Sequence, residues 1–201
     1  YGALKPDDGK IWCHHAADGA DKKENVTSER FAMQCGVGYV AKDRDTESLN
    51  TLTSIRDNVA IVGLDLFAVG GFLILSSKER EYVEKNIRAL STKYFSIDQP
   101  VSELSGGNKQ KVVFAKWIGR GSDILILDAP TRGVDIGVKQ AMYQLMYQMK
   151  QQGKTIVMIS EEMTELMGMC DRLVIMKDGR ITREFRRDDG YDENEIIRVM
   201  I

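Results

Sequence analysis

The sequence predicts an α/β fold, a parallel sheet with helices on both faces, broken by a helical insert. Three observations carry this prediction. Ile124-Leu125-Ile126-Leu127, Thr155-Ile156-Val157-Met158-Ile159 and Arg172-Leu173-Val174-Ile175-Met176 are short apolar runs. Helical segments over residues 138–152 and 162–169 separate them. Strands that are apolar on both faces and alternate with helices belong to a parallel sheet covered on both sides. Upstream, residues 51–121 change to helical spacing, which sets them apart as an insert.

Taken in order, Lys5-Pro6-Asp7-Asp8-Gly9 reads as a turn, with Pro6 and Gly9 as its punctuation. Residues 1–4 read as the end of a helix. Gly36-Val37-Gly38-Tyr39-Val40 is a short strand, and residues 42–50 are polar loop. Ser76 with Glu79 three positions on has the form of a capping box. The helix behind it, with Tyr82, Val83, Ile87 and Leu90 on one face, is predicted to run to about Tyr94. Pro100 breaks the chain, and a second helix opens at Ser105. The run ending in Met176 meets a hairpin turn, Lys177-Asp178-Gly179-Arg180, and residues 181–185 return antiparallel. Residues 192–201 form a weak helix.

Composition narrows the function. The 201 residues fit one domain with a subdomain, and 43% hydrophobic with 29% charged residues excludes disorder. Lys plus Arg number 28 against 30 Asp plus Glu, and the net charge of −2 is not that of a nucleic-acid binder. Cys13, Cys35 and Cys170 are odd in number and in no metal-ligand spacing, which fits a reducing compartment. The longest apolar stretch, residues 61–75, is 15 residues long and contains Asp65 and three glycines. It is too short to span a bilayer, so any membrane role runs through a partner.

Two clusters carry chemistry. Leu104-Ser105-Gly106-Gly107-Asn108-Lys109-Gln110 stands at a helix start, where bare backbone N–H groups and the helix dipole make an anion site. The second is Asp128 at the carboxyl end of an apolar strand, followed by Ala129-Pro130-Thr131-Arg132-Gly133-Val134-Asp135. Open α/β sheets bind ligands at that end, and nucleotide hydrolases use such an Asp to hold Mg²⁺. Either cluster alone is weak evidence, since one could be a Gly-rich cap and the other a turn former.

Together, about 18 residues apart, they resemble the ABC-type ATPases: a Leu-Ser-Gly-Gly signature, a Walker B strand and a D-loop containing Asp135. Three further stretches narrow the resemblance. These are Tyr39-Val40-Ala41-Lys42-Asp43-Arg44, Asn108-Lys109-Gln110-Lys111-Val112 and Met158-Ile159-Ser160-Glu161-Glu162-Met163. They are similar to the second ATP-binding half of the tandem proteins of bacterial sugar importers (the ribose, galactose and xylose type).

The resemblance implies a RecA-like parallel core with a helical signature subdomain. Residues 1–50 would be the N-terminal core remnant with the Q-loop region, 51–121 the signature subdomain, and 122–201 the rest of the core. It implies ATP and Mg²⁺ as cofactors, with Asp128 toward the metal. Ser105, Gly106, Gly107, Asn108 and Gln110 would contact, in trans, the nucleotide held by a partner half. The implied partners are a first ATPase half of the same protein or a second ATPase chain, transmembrane permease subunits and, indirectly, a sugar-binding protein, but no nucleic acid. The implied location is peripheral, at the cytoplasmic face of the bacterial membrane. The alternatives are a non-transport ABC ATPase that acts as a clamp and an inert interaction module.

The sequence also departs from the family. Gly-x-x-x-x-Gly-Lys-Ser/Thr occurs nowhere in it, and family order places that loop before Tyr1, so an N-terminally truncated core with weak ATP binding is expected. Ala129 stands where the family has the Glu that polarises the attacking water, and Glu161 stands at its switch His. Lys42 falls at the Q-loop Gln. The implied pair is asymmetric, with this half lending its signature while being catalytically incompetent alone. Gly107→Asp is expected to block that trans contact while leaving the fold intact.

Plainer readings cover the rest. Met142, Met146, Met149, Met163, Met167 and Met169 are core filler, and Trp12 and Trp117 are packing residues. The adjacent pair His14-His15 does not read as a metal site. Arg183, Arg186 and Arg187, offset by Glu184, Asp188 and Asp189, form a solvated face. Residues 64–75 are either a docking surface or ordinary packing.

Overall fold

The computed structural model describes residues 6–17, 20–70 and 73–201, with backbone alone for 14–17 and 20–24. The helix end expected over residues 1–4, Lys5 of the first turn, and the His14 and His15 side chains lie outside the described residues. The chain divides into two compact units, with the boundary in the sequence between Val157 and Met158.

The first unit opens with a hairpin, β1 (Trp12–Ala17) against β2 (Ala20–Asn25), paired antiparallel. Trp12 is 48% exposed there, so it is not the packing residue the sequence suggested. It sits on an outer hairpin, and Lys10 Nζ lies 5.6 Å from its ring centroid. Ser28 caps α1 (Glu29–Gln34) by accepting from the Phe31 N–H at 3.2 Å. Then comes β3 (Val37–Val40) and, in place of the expected loop, a π-helical turn over Arg44–Ser48. Asp43 caps that turn by accepting from the N–H groups of Asp45 and Thr46.

The helical part begins at α2 (Ile55–Ala60), which Ser54 and Asp57 cap reciprocally. A short α3 (Leu64–Phe67) leads into a small hairpin, β4 (Ala68–Val69) with β5 (Leu73–Ile74). Next is α4 (Ser76–Ala89). Its cap position is Leu75, with no side-chain hydrogen bond, so the capping box expected at Ser76 does not form. The helix also stops short of Tyr94, because Leu90 leaves helical geometry and Ser91 turns the chain at φ +49°. A 3₁₀ turn, Val101–Glu103, precedes α5 (Gly106–Arg120). Ile55, Val59, Val83, Ile87, Val101, Val112, Val113 and Phe114 are fully buried and make these helices one core.

The sheet has the order β3-β6-β7, with β6 (Ile124–Asp128) in the centre and β7 (Thr155–Ile159) outside. β3 and β6 run parallel, with Val40 opposite Leu127. Trp117 of α5 packs on this sheet at Gly38, where an added Cβ would meet Trp117 Cδ2 at 3.1 Å. Between β6 and β7 runs α6 (Ile136–Gln151), with Met142, Met146 and Met149 buried as core filler.

The second unit comprises α7 (Met163–Met169), β8 (Arg172–Lys177), β9 (Arg180–Arg186) and α8 (Glu193–Met200). The third apolar run is therefore not a parallel strand, because β8 pairs only with β9, antiparallel, among the described residues. The reason is local. Asp178 and Gly179 both take positive φ, +49° and +75°, as a tight hairpin turn of matching twist requires. Leu173, Phe185 and Ile196 form this unit's core, and Met163 and Met167 pack against it. Arg187 is more than part of a solvated face. Its guanidinium donates to the carbonyls of Met167, Gly168 and Cys170, all at 2.9 Å, and so caps the end of α7.

Candidate functional site

Two helix starts converge in the first unit. At α5, Ser105 is extended, and its Oγ accepts from Asn108 Nδ2 at 2.9 Å and from the Asn108 N–H at a long 3.5 Å. Asn108 Oδ1 in turn accepts from the Lys93 N–H at 2.9 Å, which ties the preceding loop to the helix start. At α6, the exposed carboxylate of Asp135 accepts from the Val138 N–H at 2.9 Å. Between them lies an open cleft of about 380 Å³ whose walls include Lys93, Ser105, Asn108, Lys111, Asp135 and Gly137. Two ammonium groups and two positive helix ends outweigh one carboxylate there, so the cleft is suited to an anion. Lys111 is held by its Nζ donating to Ser91 O at 3.0 Å.

The two glycines also have packing surroundings of their own. A Cβ on Gly107 would meet Val138 Cγ2 at 2.5 Å and Val138 Cβ at 3.3 Å. Val138 is β-branched and stiff, so Gly107 is the close-packing point between α5 and α6. The expectation that Gly107→Asp would leave the fold intact is therefore overturned. A Cβ on Gly106 would meet Arg44 Nη2 at 2.7 Å, the far end of a long side chain. Gln110 is 3% exposed and lies inside the unit. It stands two positions after Asn108, about 200° around the helix, and is not among the residues that line the cleft.

The strand-end cluster is arranged less firmly. Asp128 ends β6, and the Tyr39 hydroxyl donates to its Oδ2 at 3.5 Å. Burial pushes the Tyr39 phenol above its usual range, and the charges of Asp128 and Glu47 add to this. Lys42 follows β3, and the register of Val40 against Leu127 brings it to the same sheet edge as Asp128. Ala129 takes φ +46°, the left-handed region that side-chain-bearing residues avoid. Among the described residues no group of three or more His, Cys, Asp or Glu could hold a metal. Mg²⁺ is commonly held by one or two carboxylates together with substrate phosphates. Asp128 fits it only as a single ligand beside a nucleotide. Glu161 lies in the second unit, exposed between β7 and α7. Next to it, the Ser160 hydroxyl accepts from the Glu162 N–H at 3.0 Å and bonds Glu165 Oε2 at 2.5 Å.

Sequence reasoning missed Lys93, Lys111 and Arg44. Lys111 carried a signal, since it stands three positions after Asn108 on the same helix face. Lys93 reaches the site from a loop and Arg44 from the π-helical turn, and neither gave a signal.

The fold defines a class before any closer relation does. It superposes on a nucleotide-free ATP-binding cassette from an ABC transporter with a TM-score of 0.71 at 21% identity, covering 100% of this chain and 79% of that one. A dimeric cassette in a post-hydrolysis state bound to ADP and Pi gives a TM-score of 0.71 at 19% identity, with 91% and 75% covered. The family pattern described as ABC transporter matches residues 1–132, and the chain belongs to that family. It is similar to the ribose import ATP-binding protein of Bacillus subtilis, with 40% identity over 96% of this chain and 38% of that protein. It is also 36% identical to an arabinose import ATP-binding protein of Burkholderia cenocepacia, over 92% of this chain and 35% of that protein. The chain thus spans under two fifths of the length of these relatives.

Proposed function

We propose that this chain is part of the ATP-binding protein of a carbohydrate importer, and that its cleft engages the phosphates of a nucleotide held by a partner ATPase half. The observation that carries the reading is the meeting of Ser105, Asn108, Lys93 and Lys111 with the start of α6 in one open, cationic cleft. ATP supplies the triphosphate charge, which Lys93, Lys111 and the helix starts neutralise. Asp128 is the carboxylate that would face Mg²⁺ at the strand end. Ala129, a methyl at the position of a water-polarising Glu, supports a half that contributes its signature rather than hydrolysing at its own strand end. The ribose and arabinose relatives support a monosaccharide cargo. Exposed Leu66, Leu73 and Ile74 support docking of a membrane subunit on that edge, which would make the protein peripheral at the cytoplasmic face.

The test is Lys111→Glu in the full-length protein that contains this chain. Reversing one cleft charge should cut ATP-driven pairing of the halves about tenfold or more, read by light scattering, and lower sugar uptake with it. Undiminished pairing would mean that the cleft does not face a nucleotide.

A further inference from the structure

The geometry points to Arg44 as a positioning residue that holds the loop before α6 against the start of α5; this rests on the nucleotide reading above. Arg44 leaves the π-helical turn after β3 and is 17% exposed. Its Nη1 donates to Arg132 O at 3.1 Å, in the loop that leads to the Asp135 cap. Its Nη2 lies 2.7 Å from where a Gly106 Cβ would stand and 3.9 Å from the same point on Gly133. One planar guanidinium therefore spans the signature glycine and the loop after β6. Gly106 is bare because that guanidinium occupies the space a side chain would need.

Two features of this seat run against stability. Arg44 Nε is buried and makes no hydrogen bond, an arrangement that costs free energy. A cation beside the first turn of a helix also opposes the helix dipole; α5 has no acidic residue of its own in that turn, and the nearby carboxylate is Asp45, whose Oδ2 lies 3.9 Å from Arg44 Nε. Costs of this kind collect at functional segments. A positive charge behind Gly106 becomes favourable once an anion stands in front of Ser105. The turn that carries Arg44 is fastened to α5 twice more, by Lys109 Nζ on Asp45 Oδ1 at 2.8 Å and by Lys116 Nζ on Ser48 O at 3.1 Å. Lys42 opens this segment. Arg44 is the link from this segment to the loop before α6.

The experiment compares Arg44→Met and Arg44→Lys with the parent in two measurements. Hydrogen exchange on the full-length protein without nucleotide reads the link directly. In Arg44→Met, residues 129–135 should exchange about tenfold faster, the loss of one charge-assisted hydrogen bond, while α4 keeps its protection. In the full-length protein, Arg44→Met should raise the ATP concentration for half-maximal pairing by about the same factor, leaving pairing at saturating ATP unchanged. Arg44→Lys keeps the charge and loses the fork, so it should recover less than half of either effect. Unchanged exchange over 129–135 overturns the proposal, as does full recovery by Lys, which would make charge alone sufficient. A parent that does not pair with ATP overturns the nucleotide reading, and with it the functional part of this one. A parent that pairs, with Arg44→Met indistinguishable from it, overturns the Arg44 proposal alone.

Discussion

The start of α5 and the carboxyl end of β6 are the two chemical loci of this molecule, and they are built in opposite ways. The helix start is backed by fully buried Val101, Val112, Val113 and Phe114, and each residue around it has a neighbour that fixes it. Asn108 joins Ser105 to Lys93, and Gly107 meets Val138. At the strand end the Tyr39 hydroxyl reaches Asp128 by a long hydrogen bond of 3.5 Å, and a side-chain-bearing residue, Ala129, stands in left-handed backbone. Close packing fixes a position at the cost of tolerance to change. Strain leaves room for improvement by substitution. The first locus should be damaged by almost any change, and the second should be open to gain.

The largest effect should come from Gly107→Asp. The new side chain must displace stiff Val138 and carries a carboxylate into a buried position. Overpacking and an unpaired charge together should cost about 3–5 kcal/mol, read as the shift of a urea unfolding midpoint. The neighbouring Gly106→Ala meets only the end of a long side chain and should cost under about 1 kcal/mol. Equal costs at the two glycines would break the contrast between a packing contact and a guanidinium seat. Ser105→Ala comes next, at about 0.5–1 kcal/mol, because the capping bond to the Asn108 N–H is long at 3.5 Å.

At the strand end the sign should reverse. Ala129→Gly removes a Cβ from left-handed backbone, worth about 1–2 kcal/mol, against about 0.5–1 kcal/mol of added chain entropy. A net gain of about 0.5–1 kcal/mol is expected. A loss on the same urea curve would show that Ala129 packs usefully at this φ and that the strand end is not strained.

What the sequence revealed follows the range of the interaction involved. The helix at Ser105 and the strand ending in Asp128 were readable because a cap and a short apolar run are local signals. The hairpin turn at Asp178-Gly179 was readable for the same reason. The pairing of β8 was not, since an apolar run does not say which strand it joins. β1 and β2 escaped notice because Ala20-Asp21-Lys22-Lys23-Glu24-Asn25 has no apolar alternation. Within the site, Gly106 and Gly107 were found but explained by exposure to an anion. Their partners, Arg44 and Val138, lie 62 and 31 positions away (106 − 44 and 138 − 107). No local pattern reports a contact of that separation. The burial of Gln110, two positions after Asn108 on the same helix, follows from the helix period alone.

The smallest effect tests whether the packed region carries a hidden cost of its own. The Tyr82 hydroxyl is buried against Gly63 and Gly119, where an added Cβ would stand 2.5 and 2.8 Å from it, and it makes no hydrogen bond. Burial pushes its phenol up to about 12; Asp65 adds to the rise and Arg120 opposes it. An unfolded tyrosine starts to ionise near 10.0, while the native one keeps its proton to about 12. The resulting contribution to stability is full below pH 10 and is lost as pH rises through 12. Lys116, whose pKa burial lowers, has the opposite slope in the alkaline range, and comparison with a variant cancels it. Tyr82→Phe keeps the ring against Phe67, 5.2 Å away between centroids, and removes the unpaired hydroxyl. It should match or slightly exceed the parent in stability at pH 8, and the two should diverge between pH 10 and 12, with the parent falling faster. Parallel curves across that range would mean that the hydroxyl finds a partner in solution, and the packed region would then have no cost comparable to the strain at Ala129.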